Sequence, residues 1–116
     1  MSRFIEPSIL LLLSGKPSYG YELMEELEKI GLHDGSPDPG AVYRNLRRME
    51  EDGLLESEWD TSGTGPARRL YRLTPKGQEY LEAWAVTIEQ RKRSLEKFLK
   101  MYAEFSKERK GGADNV

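Results

Sequence analysis

The chain predicts a mainly α-helical fold with one small β-hairpin. Three observations predict it. Apolar residues recur at helical spacing in successive segments, a glycine-rich turn sits between two alternating runs, and a long final segment has no interior breaker. With 116 residues the chain is one small domain with an appendage. A charged fraction of 33% beside a hydrophobic fraction of 37% describes a folded, helix-rich protein rather than a disordered one. The absence of cysteine excludes disulfides and thiolate metal sites.

Pro7 opens a first helix carrying Ile9, Leu10, Leu12 and Leu13, and Gly15 with Pro17 closes it. The unbroken run from Ile9 to Leu13 falls far short of the about 20 apolar residues a membrane span needs. It reads as a buried helix, and the expected location is cytoplasmic, with no membrane partner. Ser18 caps a second helix, in which Leu23, Leu27 and Ile30 form the apolar stripe and Glu22, Glu25, Glu26 and Glu28 the wet side. Gly31 stops it. Leu32 to Pro37 is a connection of ordinary length.

Asp38 and Pro39 supply the N-cap and first residue of a third helix. Val42, Leu46 and Met49 make its apolar stripe, and the wheel turns Arg44, Arg47 and Arg48 to the opposite side. Such a face suits a major groove; it equally suits a solvated helix whose arginines pair with Glu50, Glu51 and Asp52. Gly53 ends the helix. Leu54 to Trp59 then read as a strand, Gly63, Gly65 and Pro66 as a turn-rich tip, and Ala67 to Leu73 as the returning strand. Tyr71 and Leu73 are expected to face inward and Trp59 to pack under the hairpin. Arg68 and Arg69 stand beside the tip, where bare backbone can approach phosphates. Three helices and a hairpin in this order make a winged helix-turn-helix, assigned to residues 1–74.

Thr74 and Pro75 start the last helix, assigned to residues 75–108, with 109–116 as a disordered tail. Leu81, Trp84, Ile88, Arg91, Leu95, Phe98, Tyr102 and Phe105 recur at spacings of 3,4,3,4,3,4,3, a heptad seam. One small domain cannot cover such a seam, so a second copy is the expected partner: a homodimer through this dimerisation helix. Arg91 either fixes the register or snorkels to water. Trp84 either packs in the seam or lines an aromatic effector pocket there.

Catalysis finds no support. His33 is the sole histidine, so a Ser/His/Asp triad or metal cluster has nothing to assemble around, and neither Gly63-Thr64-Gly65 nor Gly15-Lys16-Pro17 ends as a phosphate loop does. No catalytic residue, metal or cofactor is expected. The net charge of -2 argues against nucleic-acid binding if charge is only summed. Phosphate contacts depend on placement, and a dimer presents each basic cluster twice.

YGYEL at Tyr19 to Leu23, VYRNLRRMEEDGLLES at Val42 to Ser57, GPARRLYRLTPKG at Gly65 to Gly77 and the single long last helix together resemble the PadR family of transcriptional regulators, in its short branch. The resemblance covers most of the chain. It implies a homodimer that binds palindromic operators in double-stranded DNA and represses nearby genes. Carried over residue by residue, it implies DNA-facing roles for Tyr19, Tyr43, Arg44, Arg47, Arg68 and Arg69, whereas Tyr21 is expected to pack inside. One departure is Arg44, where many relatives carry proline after the tyrosine. The clustering of aromatic residues around Trp84 and along the tail suits an apolar or aromatic effector there. VYR, the ESEWDTSGTGPARR wing and the aromatic tail most resemble the poly-beta-hydroxybutyrate-responsive repressors of the family, which implies a polymer granule surface in that role. The alternative function is a winged-helix module that binds protein and not DNA.

Overall fold

The computed structural model describes residues 4–31 and 38–114, with side chains described through 110. The connection expected from Leu32 to Pro37, His33 included, lies outside the described residues. The elements are α1 (Ile5–Gly15), β1 (Ser18–Tyr19), α2 (Gly20–Ile30), α3 (Pro39–Glu51), β2 (Leu55–Asp60), β3 (Arg68–Leu73) and α4 (Pro75–Asp114). They divide into two compact units, Met1–Glu82 and Ala83–Val116. A mainly helical fold with a small antiparallel sheet is what the sequence predicts.

In the first unit, α1 begins at Ile5, ahead of the expected Pro7, which instead occupies the first turn, where its missing N–H costs nothing. Ile9, Leu10 and Leu13 are buried, but Leu11 is 54% exposed. The run Ile9 to Leu13 is therefore not wholly buried, because five consecutive residues pass right round a helix. On α2, Leu23 and Leu27 are buried, and on α3, Val42, Leu46 and Met49 are fully buried. These stripes meet in one core. Asp38 caps α3 as expected, its Oδ1 accepting from the Gly40 N–H at 3.3 Å. Gly31 and Gly53 follow α2 and α3 with left-handed backbone, φ 68° and 78°.

Ser18 does not cap α2. It is buried in β1, paired with Tyr71 of β3, and the N-cap is Tyr19, whose N–H donates to Glu22 Oε1 at 3.0 Å. Pairing with a distant strand overrides the local capping preference of serine. The sheet order is β1-β3-β2, all antiparallel, so β3 is bonded on both edges. Leu55, Ser57 and Trp59 share one face with their partners Leu73, Tyr71 and Arg69. That face starts in the core at Leu55 and leaves it by Trp59, which is 61% exposed.

The first turns of α4 belong to this unit for a geometric reason. The Thr74 N–H donates to the Leu54 carbonyl at 3.1 Å, and Thr74 Oγ1 accepts from the Gly77 N–H at 3.0 Å. A Cβ on Gly77 would lie 2.1 Å from the Leu54 oxygen, so only glycine allows helix and strand end to approach this closely. In the second unit α4 continues without interruption to Asp114, past residue 108, taking in part of the segment expected as tail. Along it Ile88, Leu95, Phe98, Tyr102 and Phe105 are exposed, as are Leu99 and Met101 beside the seam.

Candidate nucleic-acid interface

A concave surface of about 440 Å³ opens in the first unit between the start of α2, α3 and the hairpin. Aromatic rings and arginines line it. Tyr19, Tyr21, Tyr43, Arg47, Arg68 and Arg69 all contribute, with Glu50 as the carboxylate among them.

Two clusters hold the arginines. In the first, the Tyr19 and Tyr21 rings stack with centroids 5.8 Å apart and planes 5° from parallel. The Arg68 guanidinium lies 4.5 Å from the Tyr19 ring centroid and 6.0 Å from that of Tyr21, and donates to the Tyr21 hydroxyl at 3.2 Å. The Tyr19 hydroxyl donates to Asp60 Oδ2, and Asp60 is the strand partner of Arg68. Asp60 Oδ1 accepts from the Ser62 N–H at 2.9 Å and from Ser62 Oγ at 2.6 Å. The Ser62 and Tyr19 bonds hold the Asp60 carboxyl down at about 2, and the same Tyr19–Asp60 bond pushes the Tyr19 phenol up.

In the second cluster, Ser57 Oγ donates to the Glu50 carboxylate at 2.9 Å and accepts from Arg69 Nε at 2.7 Å. Arg69 Nη2 is 3.5 Å from Glu50 Oε2, and its guanidinium lies 5.1 Å from the Trp59 ring centroid. Arg69 is thus held by a carboxylate, a hydroxyl and a ring. Arg47 lines the same surface, and among the described residues no ion pair engages it. Tyr43 reaches the surface because a Cβ on Gly20 would come within 3.0 Å of its ring.

The predicted residues separate into three groups. Tyr19, Tyr43, Arg47, Arg68 and Arg69 come together on the concave surface. Arg44 lies at the start of α3, exposed, 3.8 Å from the equally exposed Asp38. Arg48 is turned toward α1, donating to Glu6 and Asn45 at 2.7 Å each, so the structure does not bring it to this surface. Glu50 bonds to the hairpin rather than to the arginines one turn back, as the solvated-face reading required. Two expectations are corrected. Tyr21 is 47% exposed and stacked outward on Tyr19, and Trp59 forms an outer wall instead of packing under the hairpin. Trp59 sits where its face of the hairpin has already left the core, and Tyr21 lies on α2 away from the buried Leu23 and Leu27. Of the seam residues, Leu81 and Trp84 are half-buried and the others exposed.

The fold has known counterparts. The chain is 43% identical over 63 residues to a transcriptional regulator of Mycobacterium tuberculosis, a match covering 54% of this chain and 55% of that one, so it spans about half the length of that relative. A solved conserved protein described as a potential transcriptional factor superposes with a TM-score of 0.77 at 39% identity, covering 87% of this chain and 89% of the other. Bacillus subtilis PadR, solved in complex with operator DNA, shares the fold with a TM-score of 0.64 at 24% identity, over 74% of this chain and 49% of its own. The transcriptional regulator PadR-like family matches residues 9–83, most of the chain, and with the winged architecture built from the same segment the conclusion is plain: this chain belongs to the PadR family of transcriptional regulators.

Proposed function

We propose that the chain is a homodimeric repressor that binds a palindromic operator in double-stranded DNA, with α3 in the major groove and the β2–β3 wing on flanking backbone. The observation that carries this reading is the convergence of Arg47, Arg68 and Arg69 with exposed aromatic residues on one concave surface between α3 and the wing. Arg47 and Arg44 are the groove-facing cations of this reading, and the operator DNA bound by Bacillus subtilis PadR supports DNA binding by analogy. The dimer rests on the exposed seam of α4, which a second copy would cover. Two-fold symmetry then asks for half-sites about 34 to 36 Å apart, or a multiple of one turn. An apolar or aromatic effector, or a hydrophobic polymer surface, engaging α4 near Trp84 would release the operator by favouring a different spacing of the heads. The protein acts in the cytoplasm, where its DNA is.

The test is titration of the duplex lying upstream of its own gene over a range of salt. Binding should weaken steeply as salt rises, because counterions return to the phosphates, and Arg47→Ala should weaken it further. A complex that forms with protein partners while every duplex stays unbound at low salt would replace this reading with the protein-binding one.

A further inference from the structure

We infer that Tyr21 and Arg68 together grip one backbone phosphate of duplex DNA, with Tyr19 as the positioning residue that holds them. This rests on the DNA-binding reading above and gives an outward role to the hydroxyl of Tyr21, a residue that the sequence placed inside.

A tyrosine hydroxyl has one hydrogen to donate and lone pairs to accept with. That of Tyr19 donates to Asp60 Oδ2, so it has nothing left for an anionic oxygen. Tyr21 is the reverse: its oxygen accepts from Arg68 Nη1 at 3.2 Å, and among the described residues nothing accepts its own hydrogen. The two donors therefore stand side by side on an exposed edge, one phenolic O–H and the remaining N–H groups of a guanidinium. A phosphodiester oxygen can accept from both, as charge-assisted bonds to phosphate usually do.

The guanidinium is also pre-set in direction. Its central carbon is held over the Tyr19 ring, 4.5 Å from the centroid, and Tyr19 is fixed in turn by Asp60, whose other oxygen is occupied by Ser62. Because Tyr21 lies in the first turn of α2 while Arg68 begins β3, a phosphate between them would be held jointly by the helix-turn-helix and the wing. Asp60 opposes the gain by partly offsetting the charge of Arg68. Its distance is fixed by the strand register, which pairs it with Arg68 across the sheet.

Tyr21→Phe removes only the oxygen and keeps the ring stack. Binding of the upstream duplex should weaken roughly 3- to 10-fold, the range for one net hydrogen bond, with the same factor on a shuffled duplex of equal length. The salt slope should not change, since no charge is lost, whereas Arg68→Gln should lower it by about 1. Tyr19→Phe should weaken binding while Arg68 is present and have no effect in the Arg68→Gln background, which distinguishes positioning from a general loss of structure. Tyr21→Phe binding like the parent would overturn the inference, as would a loss confined to one base-pair identity, or a Tyr19→Phe effect that persists without Arg68. If the parent protein bound no duplex, the DNA-binding reading itself would fall; if it binds and only the variants disagree, the failure belongs to this inference alone.

Discussion

Replacing Gly77 by alanine sets two known effects against each other, and the structure decides the sign. In a helix, alanine is favoured over glycine by about 1 kcal/mol. At this position the added Cβ would lie 2.1 Å from the Leu54 carbonyl oxygen and 2.6 Å from Leu73 Cδ1. The Leu73 methyl can turn aside, but the carbonyl is backbone and already accepts from the Thr74 N–H at 3.1 Å, while the Thr74 hydroxyl donates to the nearer Gly53 carbonyl at 2.7 Å. Restoring ordinary contact requires the Leu54 carbonyl to retreat by roughly 1 Å, which strains the joint by about 1 to 3 kcal/mol and breaks a hydrogen bond worth about 1 kcal/mol. After subtracting the helix gain, the net loss is about 1 to 3 kcal/mol. For a domain this size that corresponds to a midpoint lowered by roughly 5 to 25 °C. Thermal melting followed by far-ultraviolet circular dichroism measures it, with Gly15→Ala as control, since no atom lies within 4 Å of a Cβ there. A Gly77→Ala protein as stable as the parent, or more so, would refute the account of how the first turn of α4 packs against Leu54, just ahead of β2.

Glu50→Gln removes the carboxylate from the concave surface while leaving an acceptor for Ser57, so duplex binding should tighten and its salt slope increase by up to about 1. Weaker binding would mean that the charge of Glu50 matters more for aiming Arg69 than for repelling phosphate. Asp60, held down at about 2 against an ordinary 3.8, contributes stability that is fully present above about 3.8 and is lost as pH falls toward 2. The stability difference between parent and Asp60→Asn should therefore shrink across that window in acid denaturation, and a constant difference would contradict the bonding described. Phe98, 64% exposed on a single chain, becomes buried if a second copy covers the seam. Phe98→Ala should then cost on the order of 3 to 5 kcal/mol per buried site and shift sedimentation toward monomer, and a parent protein that is monomeric at micromolar concentration would exclude the dimer.

The helices were legible because their causes are local. Val42, Leu46 and Met49 announce a buried stripe by spacing alone, and Asp38-Pro39 and Thr74-Pro75 carry their helix starts within two residues. What was not legible depends on residues distant in sequence. Nothing near Ser18 and Tyr19 specifies a strand; Tyr71 and Leu70, some fifty positions on, do so by pairing with them. The outward turn of Tyr21 and Trp59 runs against the usual burial of large aromatics. For Trp59 a signal existed: counting along the hairpin face from Leu55 places it two pairs on, one pair past the buried Tyr71 and opposite Arg69. The clusters around Glu50 and Asp60 had no such signal, because each joins side chains from separate elements, and acidic residues in a cation-rich surface look like noise until their partners are known.

The two-residue strand β1 bears on how parts of this protein could be exchanged. Since β3 is bonded on one side to β2 and on the other to Ser18 and Tyr19, the hairpin is not a module bounded by residues 55 and 73. A chimera that imported another regulator's hairpin alone would bring a new central strand to an old edge. It would also set whatever replaced Arg68 and Asp60 against a Tyr19 and Tyr21 that had not changed with them. Transplanting residues 18–21 together with the hairpin keeps both seams intact, so the smallest exchangeable piece is discontinuous in sequence.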